Sequence, residues 1–329
     1  MSRRLKRFVV AGVVAFIPSH AFAQSSGSPS TGSARSSDAA AGDASLATPT
    51  GHEFSFEVGG YKYAEPGDTS ISIHGPKFGG GYAGTMSLNR GQHWFLQAGG
   101  RGFAGHTTYD GWCSPFLLTP DSTSPNGYAL DVGDPSPCNE SGDKDWYLEG
   151  RALVGKDVIG RTWGWSPDIG LGIRHLSNGI NGVSGYRTDD YLYLPIGLTA
   201  RTVVASHDSL SLNVEYDHLL HGWQTTRDSQ LGGGNVPATP TAPAFTIEGF
   251  SDVSFHQHSG WALRASAKYQ VGRQWWVEPE YTHWNVDASP VNYETATFTV
   301  HNITVEQQLG AYEPLNRTDE FLMRVGFRF

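Results

Sequence analysis

Apolar and polar residues alternate one for one in about ten separate stretches of this chain, and within each stretch the apolar side chains hold a single parity. In the first, Phe54, Phe56 and Val58 interleave with Glu53, Ser55 and Glu57. Tyr82, Met86 and Leu88 mark the second, and Trp94, Leu96 and Ala98 the third. The fourth sets Trp146, Leu148, Ala152 and Val154 against Glu149 and Arg151, and the fifth runs through Trp163, Trp165, Ile169, Leu171 and Ile173. Leu192, Leu194, Ile196 and Leu198 carry the sixth, and Leu210, Leu212, Val214 and Tyr216 the seventh. Trp261, Leu263, Ala265, Ala267 and Tyr269 form the eighth, Trp275, Val277 and Tyr281 the ninth, and Phe321, Met323, Val325, Phe327 and Phe329 the last. Successive side chains of a strand point to opposite faces, so each stretch is predicted to be a strand with one greasy and one wettable side.

The links between these stretches are alternately short and long. Short ones fall near 89–92, 156–162, 203–208 and 271–274, and long ones cover roughly 64–78, 105–143, 176–189, 221–258 and 288–319. Transmembrane barrels have this rhythm of periplasmic turns and extracellular loops. The expected fold is therefore all-β: a closed antiparallel transmembrane β-barrel of about 10 strands, set in a bacterial outer membrane, with long extracellular loops and short periplasmic turns. The strand ending at Phe329 would close the wall and is the expected contact for the barrel-assembly machinery.

Residues 1–23 read as a signal peptide: Arg3, Arg4, Lys6 and Arg7 precede a short apolar run, and Ala21-Phe22-Ala23 supplies the small residues before Gln24. Residues 24–50, nearly all Ser, Gly, Ala, Thr and Pro, read as a disordered periplasmic tail, leaving 51–329 for the barrel. No later stretch offers about 20 consecutive apolar residues, which argues against membrane helices. With 41 Gly, 10 Trp, 14 Tyr and 16 Phe, the chain is aromatic without being uniformly greasy, as a barrel apolar on only one face requires. The net charge of -9 leaves no clustered basic surface for nucleic acid. Outer-membrane lipid and lipopolysaccharide are the expected surroundings. Cys113 and Cys138 share one predicted loop of an exported chain and are expected to form a disulfide. A zinc site would need more ligands, and no metal or cofactor is expected.

The predicted inward face collects Glu53, Glu57, Glu149, Arg151, Glu215, Asp217, Arg264, Lys268, Glu278, Glu280, Arg324 and Arg328. A barrel of about eight strands is just filled by its own side chains, and open channels appear near sixteen. Ten strands lined by both signs of charge are expected to be largely plugged by ion pairs. A narrow solute-selective channel is the alternative for the same row.

One fragment could carry chemistry. Ile173-Arg174-His175-Leu176-Ser177-Asn178-Gly179 ends the fifth strand, and Asp189 and Asp190 follow across a loop. His175 and Ser177 continue the apolar parity, so they face lipid. A serine nucleophile needs a base within hydrogen-bond reach and a third group to orient that base. This stretch resembles the His-x-Ser-Asn active-site fragment of outer-membrane phospholipase A and the lipid A 3-O-deacylases. The resemblance implies a lipid ester hydrolase with Ser177 as nucleophile, His175 as base and Asp189 as orienter, although parity puts Asp190 rather than Asp189 on the lipid face. Those families carry Asn or Glu in the third position, and their barrels have twelve and eight strands.

The stretch Gly185-Tyr186-Arg187-Thr188-Asp189-Asp190-Tyr191-Leu192-Tyr193-Leu194-Pro195-Ile196-Gly197 and the ending from Tyr312 to Glu320 also resemble uncharacterised outer-membrane barrels of proteobacteria, which implies a non-enzymatic barrel. His and Ser at a strand rim before a glycine-containing loop are ordinary interface and turn residues. A surface protease like the omptins is disfavoured because Asp217-His218 and Asp189-Asp190 are adjacent pairs, whose members point to opposite faces. His221, His256 and His258 read as solvated loop residues. The leading expectation is thus a non-enzymatic barrel with a largely plugged polar lumen.

Overall fold

The computed structural model describes residues 46–67, 70–89, 93–179, 186–205 and 207–329; the signal-peptide reading and most of the tail reading lie outside them. Ten long strands form the wall: β1 Gly51–Glu65, β2 Ile71–Asn89, β3 Trp94–Cys113, β4 Ser136–Lys156, β5 Trp163–Asn178, β6 Tyr186–Ala205, β7 Asp208–Arg227, β8 Gly260–Val271, β9 Trp275–Val286 and β10 Asn316–Arg328. Each pairs antiparallel with the next, and β10 pairs with β1 from Arg328↔Glu53 to Arg317↔Ala64, so the sheet has no free edge. The closing seam is reinforced where His52 N donates to Phe329 O at 3.1 Å.

Alternation along these strands decides the solvent. Phe56, Leu148 and Val214 on the outer face are 62%, 55% and 61% exposed, whereas Glu57, Glu149 and Glu215 beside them are 0%, 3% and 2% exposed. Leaving one such apolar side chain in water forgoes about 1.5–3 kcal/mol, and dozens of them face outward. A closed, even-stranded antiparallel barrel with an apolar exterior and a polar interior is a bacterial outer-membrane barrel.

Several inward glycines make room for a ring on the adjacent strand. A Cβ on Gly172 would lie 2.1 Å from the Tyr193 ring, on Gly326 2.1 Å from Trp276, and on Gly155 2.3 Å from Phe95; each ring belongs to that glycine's cross-strand partner. These inward aromatics share their faces with charged residues, so the lumen is filled by mixed aromatic and ionic packing.

The structure departs from the sequence reading in three places. Strands run beyond the lipid belt, so that only residues 66–70 join β1 to β2 where residues 64–78 read as loop. Residues 46–50, read as the end of the tail, enter the turn-bearing end of the barrel: Leu46 is 5% exposed, and Thr48 donates from N and Oγ1 to the Asp157 carboxylate at 2.9 and 2.6 Å. The long connections also fold. Gly234–Val236, Phe245–Phe250, Asn292–Val300 and Ile303–Ala311 form a second antiparallel sheet, and Phe116–Pro120 with Tyr128–Val132 forms a hairpin against it. Leu118, Leu130, Phe245, Ile247, Phe298 and Val300 are its core, and the Gln307 side-chain amide bonds both N and O of Leu130, at 2.7 and 2.8 Å. Cys113 and Cys138 are disulfide-bonded at the base of the segment bearing that hairpin.

Candidate functional site

Every residue of the predicted inward row faces the lumen, where the side chains stack in tiers along the axis. At the turn-bearing end, Glu53 accepts from Lys268 at 2.6 Å and from the Arg328 guanidinium. At mid-height, Arg264 lies 2.8 Å from Glu149, 3.0 Å from Glu280, 3.3 Å from Glu215 and 3.5 Å from Asp217. Arg101 joins Glu149 and Glu280 at 2.5 and 2.6 Å, Arg324 joins Glu57, Glu278 and Glu280 at 3.1–3.3 Å, and Arg151 pairs with Glu215. The ions come from different strands and so tie opposite parts of the wall together. Taking charges from water is costly, and shared hydrogen bonds among several partners offset it.

Toward the loop-bearing end, the lumen holds a buried tier that the inward row did not include. Lys77 donates to Asp145 at 2.5 Å and sits 3.2 Å over the Tyr61 ring. Arg174 pairs with Glu320 and lies 4.4 Å over Tyr147, while Trp284 meets Tyr193 edge-on at 5.2 Å. Lys77, Tyr147, Arg174, Tyr193 and Trp284 are each 1% exposed or less. Above them, Arg187 links Glu65 and Glu313, and the single Tyr63 hydroxyl lies 2.8 and 2.9 Å from the same two carboxylates. On the turn side, a cavity of 230 Å³ remains among the ion pairs. Arg101, Lys77 and Arg174 escaped the inward row because their strands are glycine-rich or extend past the apolar stretch.

On the outer wall, His175 Nδ1 is hydrogen-bonded to Asp190 Oδ1 at 2.7 Å, and the His175 ring packs on Trp146 with centroids 5.0 Å apart. The register pairs His175 with Asp190 and Ser177 with Thr188. Asp189, the orienter implied by the resemblance, points the other way: it is buried in the lumen in the field of Glu313 and Arg187. Among the described residues no hydrogen bond joins Ser177 to His175, and Ser177 is 6% exposed. The His175–Asp190 pair is formed, but Ser177 is not linked to it among the described residues.

The same pairing recurs around the rim. His283 Nδ1 meets Asp319 Oδ1 at 2.8 Å, with Tyr281 Oη donating to the same oxygen at 2.5 Å, and His74 lies 3.6 Å from Asp110. Position 285, which corresponds to Ser177, is Asn in the His283 pair. His221 and His256, read as solvated loop residues, instead lie on strands, His221 in β7 and His256 in Val253–Gln257, which pairs with the extension of β7 beyond the lipid-facing stretch; with His258 they stand together on the exterior, His221 Nε2 3.2 Å from His256 Nδ1.

No protein-family model matches the chain, and no curated protein matches it in sequence. Solved structures are similar in fold. The outer membrane protease OmpT from Escherichia coli is 12% identical, covering 86% of this chain and 98% of that one, at a TM-score of 0.45. An outer membrane channel from Pseudomonas putida F1 is 11% identical over 87% of this chain and 98% of that one, at 0.34. The translocator domain of the autotransporter NalP from Neisseria meningitidis is 10% identical over 90% and 94%, also at 0.34.

Proposed function

We propose that this chain is a non-enzymatic, non-conducting outer-membrane barrel that anchors a folded cap at the cell surface. The observation that supports the reading is the tier of Lys77, Tyr147, Arg174, Tyr193 and Trp284 on the loop side of the lumen cavity, each of them buried. It argues against the narrow solute channel, because a charged or polar solute would have to break several buried ion pairs at once. Lipid and lipopolysaccharide then act as the solvent of the apolar wall, and the Phe329 strand as the segment offered to the barrel-assembly machinery. Planar-bilayer recordings test the reading. The parent protein should give no discrete current steps, whereas the double variant Tyr193→Ala, Trp284→Ala should conduct; steps from the parent would overturn it.

The His175–Asp190 hydrogen bond favours a second reading, a lipid ester hydrolase working from the membrane side. Ser177 Oγ would attack the ester carbonyl and pass its proton to His175 Nε2, with Asp190 rather than Asp189 holding Nδ1. The recurrence of His–Asp pairs at the rim without a companion serine places this second. Release of fatty acid from phospholipid or lipid A by the parent protein, lost in Ser177→Ala, would make it first.

A further inference from the structure

We infer that the turn-bearing end of the lumen holds a binding site for a small oxyanion, centred on Arg201. Arg201 is 8% exposed, and among the described residues its side chain makes one hydrogen bond, from Nε to Ser211 Oγ at 3.0 Å. Its Nη1 is buried and has no partner. An uncompensated buried guanidinium is costly, and charge-assisted, bidentate pairing with a carboxylate or phosphate is the interaction its planar fork suits best.

The two carboxylates whose charges reach Arg201 are engaged elsewhere. The charges that reach Arg201 are those of Asp157, Arg328 and Glu53. Glu53 is shared by Lys268 and Arg328, and Asp157 accepts from Thr48 and from Ser166 Oγ at 2.6 Å. Lys268 is also in the field of Glu278, so Arg201, Lys268 and Arg328 face Glu53, Asp157 and Glu278, and among these cations Arg201 is the one that makes no ion pair among the described residues. Asp168, a carboxylate in the tier above, sits opposite Gly197, four residues along the strand from Arg201.

Register supplies the space. Arg201 pairs with Ser211, and Ser211 pairs with Lys268, so two cations flank one small side chain in a single cross-strand row. Opposed residues have Cβ atoms about 5 Å apart, which leaves a notch over the serine between two long basic arms. The 230 Å³ cavity and a smaller one of 60 Å³ meet at this row, both lined by Thr48, Glu53, Gln97, Arg201, Ser211 and Lys268. Thr48 belongs to the segment preceding β1, so an anion would enter beside it from the turn side, below the buried tier.

Calorimetric titration of the full-length barrel in detergent with inorganic phosphate, and separately with acetate, tests the site at 150 mM NaCl. Saturable one-to-one binding is expected for at least one of the two. Arg201→Met should weaken it at least tenfold, and Ser211→Leu, which fills the notch and keeps both cations, should do the same. Retention of a heat-modifiable band on gels reports that each variant is folded; should Arg201→Met not fold, Ser211→Leu decides alone. No saturable heat with either anion, equal affinity in the folded variants, or one-for-one competition by chloride would overturn the assignment.

Discussion

His175 and Asp190 are joined across β5 and β6 on the outside of the barrel, while Asp189, one residue earlier, is buried inside it among Arg187, Glu313 and Glu65. Two adjacent aspartates therefore have opposite energetic roles. The outer pair is solvent-accessible, with side chains 35% and 54% exposed, and exposed pairs contribute about 0–1 kcal/mol. Asp190→Ala should leave the urea midpoint of the vesicle-embedded barrel nearly unchanged. Asp189→Asn removes one carboxylate from a group in which three share one arginine, and should match or exceed the parent in the same measurement.

Arg264 touches four carboxylates. Arg264→Met would leave them facing one another, and breaking buried pairs costs about 3–5 kcal/mol. The variant should lose its compact, heat-modifiable gel band at a markedly lower temperature than the parent. Arg317→Ala is the control, because that exposed side chain bonds, among the described residues, the Asn285 side chain alone, at 3.2 Å.

Glu294 in the surface sheet is pushed up to about 7 by burial and by the neighbouring Asp228 carboxylate, with which it shares a hydrogen bond. A carboxyl group whose folded pKa lies above its unfolded value of about 4.3 stabilises fully below that value, and the contribution fades as pH rises through about 7. Hydrogen exchange in Asn292–Val300 should therefore be slower at pH 5 than at pH 8, beyond the intrinsic pH dependence of exchange. Glu294→Gln should abolish the difference.

The Cys113–Cys138 bond closes a segment with a sequence separation of 25. Such a closure contributes about 3 kcal/mol, mostly by restricting the unfolded loop. Reduction should expose residues 121–127 to protease while the barrel keeps its heat-modifiable mobility, because the wall strands are paired independently of the bond.

Gly172 lies under the Tyr193 ring. Gly172→Ala should displace that ring from Glu149, which it now meets at 2.5 Å, and overpacking of this kind costs about 1–3 kcal/mol. Tyrosine fluorescence and the urea midpoint report the two effects.

The barrel was legible because lipid imposes one rule on every strand: Phe54, Leu148 and Val214 had to share a face whatever lay around them. Strand ends were not legible, since β2 and β3 run on past the apolar stretches as strands whose outer residues, such as His74 and His106, are polar. The surface sheet did carry a signal. Phe245 and Ile247, and Ala296, Phe298 and Val300, alternate with polar residues. They pack on one another instead of on lipid, so they add no crossing to a count that already closed at ten. Of the candidate site, parity correctly separated Asp190 from Asp189. Arg174 and Trp284, buried in the lumen, lie beside outward-facing His175 and His283, and the sequence marks neither as special.

An interior cemented by ions answers to temperature and acid in opposite ways. The cost of stripping water from charged groups declines as the solution warms, so this wall should tolerate near-boiling conditions that melt a greasy core. Acid strong enough to discharge the carboxylates would leave the arginines repelling one another across the bore, and the protein should come apart in the cold at low pH before it does so in the heat at neutrality.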